Sequence, residues 1–309
     1  MIAHGDLAGT NLIVIVGPTA AGKSDLAVEL ALRLGGEVVN ADSMQLYRGM
    51  DVGTAKLGVE GRRGVPHHLL DIWDVTETAS VAGYQQAARA AIADIHERGR
   101  VPLLVGGSGL YVRAVIDDLD FPGTDPVLRA RLDAELAALG PAALHARLAE
   151  CDPVAAASIL ATNGRRVVRA LEVTEMTGRP FSASMPSYED AKDDATQLGL
   201  TVPRPELDAR IASRIERMWS AGLVEEVRRL EPYGLREGLT ASRALGYAQV
   251  LRFLSGEWSE EHAREETVRA TRRFARRQES WFRRDPRIRW IAYDAPVERA
   301  LDTIDPCDS

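Results

Sequence analysis

Residues Gly17-Pro18-Thr19-Ala20-Ala21-Gly22-Lys23-Ser24 match G-x-x-x-x-G-K-[ST], and their surroundings constrain the fold more than any other part of the chain. Before them runs Leu12 to Val16, continuously apolar and ending in a Gly-Pro turn. Such a run reads as a strand buried on both faces, as in a parallel sheet. After them Leu26, Leu30 and Leu34 recur at helical spacing. Strand, glycine loop and helix in that order define a phosphate-binding P-loop. Its glycines let backbone N–H groups turn towards phosphate oxygens, the helix N-terminus adds positive potential and Lys23 adds a full charge. Gly17, Pro18, Thr19, Ala20, Ala21, Gly22, Lys23 and Ser24 are therefore the candidate diphosphate site, with the Ser24 hydroxyl placed to hold Mg²⁺.

The following segments repeat the alternation. Glu37 to Asn40 is a second strand leading into Ala41, Asp42 and Ser43, Val81 to Arg98 is an alanine-rich helix, and Val101 to Val105 is a strand running into Gly106 and Gly107. Alternating strands and helices imply an α/β fold, a parallel sheet wrapped by helices with ligands at the carboxyl ends of its strands. From about Asp125 to Met185 the pattern becomes helical: Val127 to Leu139, Ala142 to Ala149, Pro153 to Leu160 and Arg165 to Met176. A strand returns at Gln197 to Val202, followed by helices at Glu206 to Ala221, Leu223 to Glu231, Tyr247 to Leu254 and Glu260 to Arg283, and by a last strand at Ile288 to Ile291. The expected organisation is a P-loop-type α/β core of residues 1–120 and 196–309, interrupted by an all-helical insertion at 121–195. The tail from Pro296 and the polar stretch Glu189 to Asp194 carry little signal.

Composition excludes several classes. With 45% hydrophobic and 27% charged residues the chain has globular composition, and a net charge of −7 argues against a molecule coated in positive charge. The charge is nonetheless uneven: Arg264 to Arg289 contains ten arginines against four acidic residues, a local balance of +6. Cys151 and Cys307 are the two cysteines, and neither sits in a metal-ligand or disulfide-framework spacing. No apolar run near the start is long enough for a signal sequence or a membrane span. A cytoplasmic, reducing location is expected.

Taken alone, a P-loop points to ATP. The strand Val101 to Val105, however, ends in Gly106 and Gly107 and not in the Asp expected of a metal-binding Walker B strand, which makes ATP hydrolysis the poorer reading. Asp42 follows the second strand, where a carboxylate can take a proton from a nucleophile facing the bound phosphates; a helix cap or turn is the structural alternative. Gly107, Ser108 and Tyr111 lie on the same sheet edge, with a tight turn and a core-facing tyrosine as their structural alternative.

Together these segments resemble the tRNA dimethylallyltransferase, or tRNA isopentenyltransferase, family. The resemblance rests on GPTAAGKS at 17–24, ADSMQLYRGMDVGTAK at 41–56, VPHHLLDI at 65–72, VPLLVGGSGLYVRA at 101–114, RRVVRALEV at 165–173 and RALGYAQ at 243–249, in the family's order and near its spacing. It implies transfer of a dimethylallyl group from dimethylallyl diphosphate to the exocyclic amine of the adenosine immediately 3′ of the tRNA anticodon, position 37. It implies Asp42 as general base, Thr19 and Arg214 as catalytic partners at the leaving group, and Mg²⁺ on Ser24. It implies tRNA contacts at Asp42, Ser43, Met44, Gln45 and Ser108, at Arg129, Arg165, Arg166, Val167, Val168 and Arg169 in the insertion, and at Arg243, Gly246 and Tyr247. Ala248 stands where the family often carries a basic residue. A monomer binding the anticodon stem-loop is expected.

The arginines of the insertion, Arg131 included, would form a basic face for phosphates. Arg269, Arg272, Arg273, Arg276 and Arg277 would add a second on the C-terminal helix, where an ordinary solvated face is the alternative. Three other readings remain: a small-molecule or nucleotide kinase, a prenyltransferase using free adenine nucleotides, and an RNA-binding P-loop protein without catalysis.

Overall fold

The computed structural model describes residues 12–184 and 195–304; the polar stretch Glu189 to Asp194 and Cys307 lie outside them. In chain order the elements are β1 (Ile13–Val16), α1 (Lys23–Leu34), β2 (Gly36–Asn40), α2 (Val59–Arg62), β3 (His67–His68), α3 (Val81–Glu97), β4 (Val101–Val105) and α4 (Gly109–Ile116). Four helices follow: α5 (Pro126–Leu139), α6 (Pro141–Cys151), α7 (Pro153–Ser158) and α8 (Gly164–Thr177). The chain then continues as β5 (Thr196–Thr201), α9 (Arg204–Ser220), α10 (Leu223–Leu230), α11 (Tyr247–Leu254), α12 (Glu260–Phe282), β6 (Arg289–Ala292) and α13 (Pro296–Ile304).

The six strands form one sheet in the order β3-β2-β4-β1-β5-β6, and every pairing is parallel. Continuous apolar runs are what a parallel sheet requires, because both of its faces are covered by helices. Successive residues accordingly enter different cores. Ile13, Ile15, Val38 and Leu103 join a cluster with α1, α9, α10 and α11, whereas Val14, Val16, Val39 and Leu104 join one with α3, α4 and Phe282. β1 lies centrally, with Ile13 beside Leu103 of β4 and Thr196 of β5. This brings the P-loop and the turns after β2 and β4 to one edge of the sheet.

The chain divides into two compact units, Met1–Ile116 with Asp193–Ser309 and Asp117–Lys192. The second unit begins and ends a few residues before the 121–195 read from the sequence. Its helices pack on their own core of Leu132, Leu144, Leu148, Val167, Val168, Ala170 and Leu171. Asp125 caps α5 by accepting the N–H groups of Val127 and Leu128, and Asn163 caps α8 by accepting that of Arg166. The elements outside the sequence expectation include the four-residue α2, β3, which is only two residues long, and α13, which lies in the tail that carries no clear pattern.

Candidate active site

The P-loop is shaped by its backbone. Gly17 has φ 142°, and a Cβ there would lie 2.9 Å from the carbonyl oxygen of Leu200 on β5, so no other residue fits. Gly22 adopts the left-handed conformation at the N-cap of α1 and contributes no capping side chain, leaving the first turn of the helix open to an anion. Two loop amides already have protein partners. Ala21 N–H donates to the carbonyl of Pro18 at 3.3 Å and Thr19 N–H to Gln278 Oε1 at 2.9 Å. The Ala21 side chain is buried, so at 20–24 the loop presents backbone, the Ala20 methyl, Lys23 and Ser24.

One cavity of about 890 Å³ opens beside the loop, within the range typical of small-molecule sites. Thr19, Gly22, Lys23 and Ser24 line it with Asp42 and Gln45 from the turn after β2, Gly106 from the end of β4, and Arg210, Arg214 and Arg217 from α9. The remaining wall includes Val52, Ala55, Leu57, Met218 and Phe274. Residues separated by almost the whole chain thus meet at one sheet edge.

The charges in the cavity are coupled. Lys23 Nζ donates to the Pro18 carbonyl at 2.8 Å. Burial above all, opposed by Asp42 and assisted by the Arg214 charge, brings the Lys23 pKa down to about 8. Burial also lowers the Arg214 pKa, while Asp42 again favours the charged form. A partly desolvated lysine and arginine facing a carboxylate form a site primed for a polyanion. Arg214 donates to the Thr54 carbonyl at 3.4 Å, and Gln45 Nε2 donates to the same oxygen at 3.1 Å.

Asp42 is held by a residue the sequence did not single out. Asn40, buried at the end of β2, accepts the Asp42 N–H at 2.9 Å through Oδ1 and donates through Nδ2 to the carbonyls of Asp42 and Leu69, each at 3.0 Å. Asp42 Oδ1 then accepts the Met44 N–H at 3.0 Å, a tight turn that carries the chain away from the sheet. Ser43 N–H donates to Ser108 Oγ at 3.2 Å, linking the turns after β2 and β4. Met44 packs partly on the core, and Tyr111 is buried with its ring 4.6 Å from that of Tyr84, which realises its core-facing alternative.

Other sequence-derived contacts require correction. Val167 and Val168 are fully buried in the core of the helical unit, so neither side chain can meet a ligand. Arg129 and Arg169 both pair with the buried carboxylate of Glu172, at 2.7 and 2.8 Å, and Arg131 pairs with Glu135 and Glu175. The expected basic face is therefore largely neutralised, and Arg165 and Arg166 are the exposed cations of α8. Tyr247 is buried: its hydroxyl donates to Glu226, and burial raises its pKa. Gly246 is buried at the N-cap of α11, where its N–H donates to Gln249 Oε1 at 2.8 Å, so in that segment Arg243 is the exposed side chain.

Gln278, Asn40 and Glu226 are the supporting residues that sequence reasoning missed. Gln278 carried a signal: it is the polar member of an otherwise apolar stripe formed by Phe274, Trp281 and Phe282 on α12. Asn40 ends an apolar strand, and Glu226 had no distinguishing local pattern.

The fold and cavity define a P-loop α/β protein in which the glycine loop and the Asp42 carboxylate line one space. Residues 45–285 match the family model described as IPP transferase. A Thermobifida fusca (strain YX) protein named tRNA dimethylallyltransferase is 69% identical over 299 residues, covering 94% of this chain and 93% of the relative. A Kineococcus radiotolerans protein of the same name is 65% identical, covering 96% and 93%. Among solved structures, the full-length tRNA isopentenylpyrophosphate transferase of Bacillus halodurans is 42% identical with a TM-score of 0.69, covering 95% of this chain and 93% of that one. A eukaryotic dimethylallyltransferase acting on tRNA gives 26% identity and a TM-score of 0.78, covering 94% and 77%. The chain belongs to the IPP transferase family.

Proposed function

We propose that this chain is a prenyltransferase that moves a dimethylallyl group from dimethylallyl diphosphate to the exocyclic amine of adenosine 37 in tRNA, releasing diphosphate. The supporting observation is the meeting of Lys23, Ser24, Asp42 and Arg214 in one cavity. The amine nitrogen attacks the first carbon of the dimethylallyl group, the bond from that carbon to the diphosphate oxygen breaks, and the amine proton passes to the Asp42 carboxylate. Lys23, Arg214 and the first turn of α1 stabilise the charge that grows on the departing diphosphate. The adenine must leave its stack to reach Asp42, and the opening between the P-loop and the turns after β2 and β4 supplies the receiving pocket.

Mg²⁺ fits this site in a limited way. Ser24 offers a hydroxyl oxygen within the cavity, and no group of three or more His, Cys, Asp or Glu suited to a metal occurs among the described residues. A magnesium ion there would take most of its ligands from phosphate oxygens and water, its usual habit at phosphate sites. When bound, it would add positive charge at the leaving group.

No helix among the described residues is long and apolar enough to cross a membrane. On this reading the chain works as a monomer in the cytoplasm, where tRNA is found, and Arg165, Arg166, Arg243 and the exposed arginines of α12 meet the anticodon stem-loop. Incubation with labelled dimethylallyl diphosphate, Mg²⁺ and either unmodified tRNA or AMP tests it. Label in tRNA alone is expected. Label in AMP would identify a free-nucleotide prenyltransferase, and label in neither would overturn prenyl transfer.

A further inference from the structure

Gln278 of α12 is 6% exposed and lies 259 positions along the chain from its partner Thr19. Its Oε1 accepts the Thr19 N–H at 2.9 Å, and its Nε2 donates to the Gly107 carbonyl at 2.9 Å. A single planar amide therefore joins the P-loop to the turn after β4. It can stand only one way round, because one partner is a donor and the other an acceptor.

The glycines of that turn are shaped by α12. A Cβ on Gly107 would lie 2.2 Å from Gln278 Nε2, and one on Gly109 would lie 2.2 Å from the Trp281 indole. Gln278 and Trp281 are three residues apart in α12, on one face of the helix. Gly107 and Gly109 thus leave room for a helix that reaches both sides of the cavity. Between them Ser108 accepts the Ser43 N–H at 3.2 Å, beside Asp42. The contacts of Gln278 run to the phosphate loop in one direction and towards the carboxylate turn in the other.

Resting on the prenyl-transfer reading, we propose that Gln278 is a positioning residue that fixes the distance between the donor-holding P-loop and the acceptor-holding turns. Displacement of a diphosphate needs nucleophile, carbon and leaving group in line, and a misplacement of about 1 Å can lower the rate about 100-fold. Gln278 ties both sides together without supplying a proton or a charge.

Three variants test this: Q278L, which keeps bulk and loses both hydrogen bonds; Q278E; and G107A, which crowds the amide from the other side. Turnover of an anticodon stem-loop is measured with both substrates saturating, alongside donor KM and Tm. For Q278L and G107A, kcat is expected to fall about 100-fold while donor KM changes less. In Q278E an ionised carboxylate accepts from Thr19 but cannot donate to Gly107, whereas the protonated carboxyl does both. Its kcat relative to wild type is therefore expected to climb as pH is lowered from about 8 to 5.5, while the Q278L ratio stays flat. The Q278E ratio is read within one folded variant, so it decides the matter even if Q278L unfolds. A lower Tm with kcat per active site within about threefold of wild type, or a flat Q278E ratio, overturns the inference alone. Absence of transfer by the wild-type chain overturns the prenyl-transfer reading and this inference with it.

Discussion

Asp42, the proposed general base, is positioned more by its neighbours than by its own side chain. Asn40 grips its peptide N–H and its carbonyl, and the Met44 N–H takes one of its carboxylate oxygens. Asp42→Ala should leave that turn largely in place and lower kcat about 10²- to 10⁴-fold, the usual range for a lost general base, with donor KM within a few-fold of wild type. Steady-state kinetics checks this, and near-normal kcat would remove Asp42 from the base role. Lys23 adds a pH dependence. With a pKa lowered to about 8 by burial, it is cationic below that pH and neutral above it. In the free protein kcat/KM for the donor should be level up to about pH 8 and decline as pH rises further. Lys23→Ala should lower the whole profile and abolish this limb; a wild-type profile that stays level to about pH 9.5 would show that the lysine charge is not used.

At the scale of elements, Glu226 of α10 organises the loop that walls one side of the cavity. Its carboxylate accepts the N–H groups of Asp51, Val52 and Gly53 at 3.1, 2.8 and 3.1 Å, and the Tyr247 hydroxyl as well. A Cβ on Gly53 would lie 2.5 Å from the Tyr247 ring, so Gly53 is the residue that lets this loop close over α11. Glu226→Ala strips four donors of their acceptor and should destabilise the protein by about 3 kcal/mol or more; Tyr247→Phe removes one hydrogen bond and should cost about 1 kcal/mol. Urea denaturation measures both, and equal effects would deny the loop-anchoring role of Glu226. The same region marks what the sequence made legible. Leu12 to Val16 and Val101 to Val105 announced buried strands because they are apolar throughout, Glu37 to Asn40 was legible from its place in the strand–helix alternation, and the P-loop carried its spacing in its sequence. Val167, Val168 and Tyr247 lay inside motif segments that also build a core, and motif membership does not distinguish a buried member from an exposed one. β3 is too short and polar to show a period, while the loop contacts of Gln278 and Glu226 are made with partners far away in the chain.

At the scale of the molecule, each of the two compact units has its own core. In the helical unit the pairing of Arg129, Arg131 and Arg169 with acidic residues leaves Arg165 and Arg166 as the exposed cations of α8. Reversing both to Glu should weaken tRNA binding and reduce the slope of log K against log salt by about 1 for each phosphate that the variant no longer neutralises. Titrations at several salt concentrations measure that slope, and an unchanged affinity and slope would move the RNA-binding face elsewhere. The arrangement of strands also bears on biogenesis. β1 is flanked on one side by β5, which follows the helical insertion, and the Thr19 amide is held from α12, 259 positions further along the chain. A nascent polypeptide leaving the ribosome exposes its P-loop motif well before α12, and until α12 has emerged the Thr19 amide lacks its Gln278 partner. A truncated translation product that retains the whole Gly17 to Ser24 motif but stops before α12 therefore carries the motif without the Gln278 tie that holds its Thr19 amide.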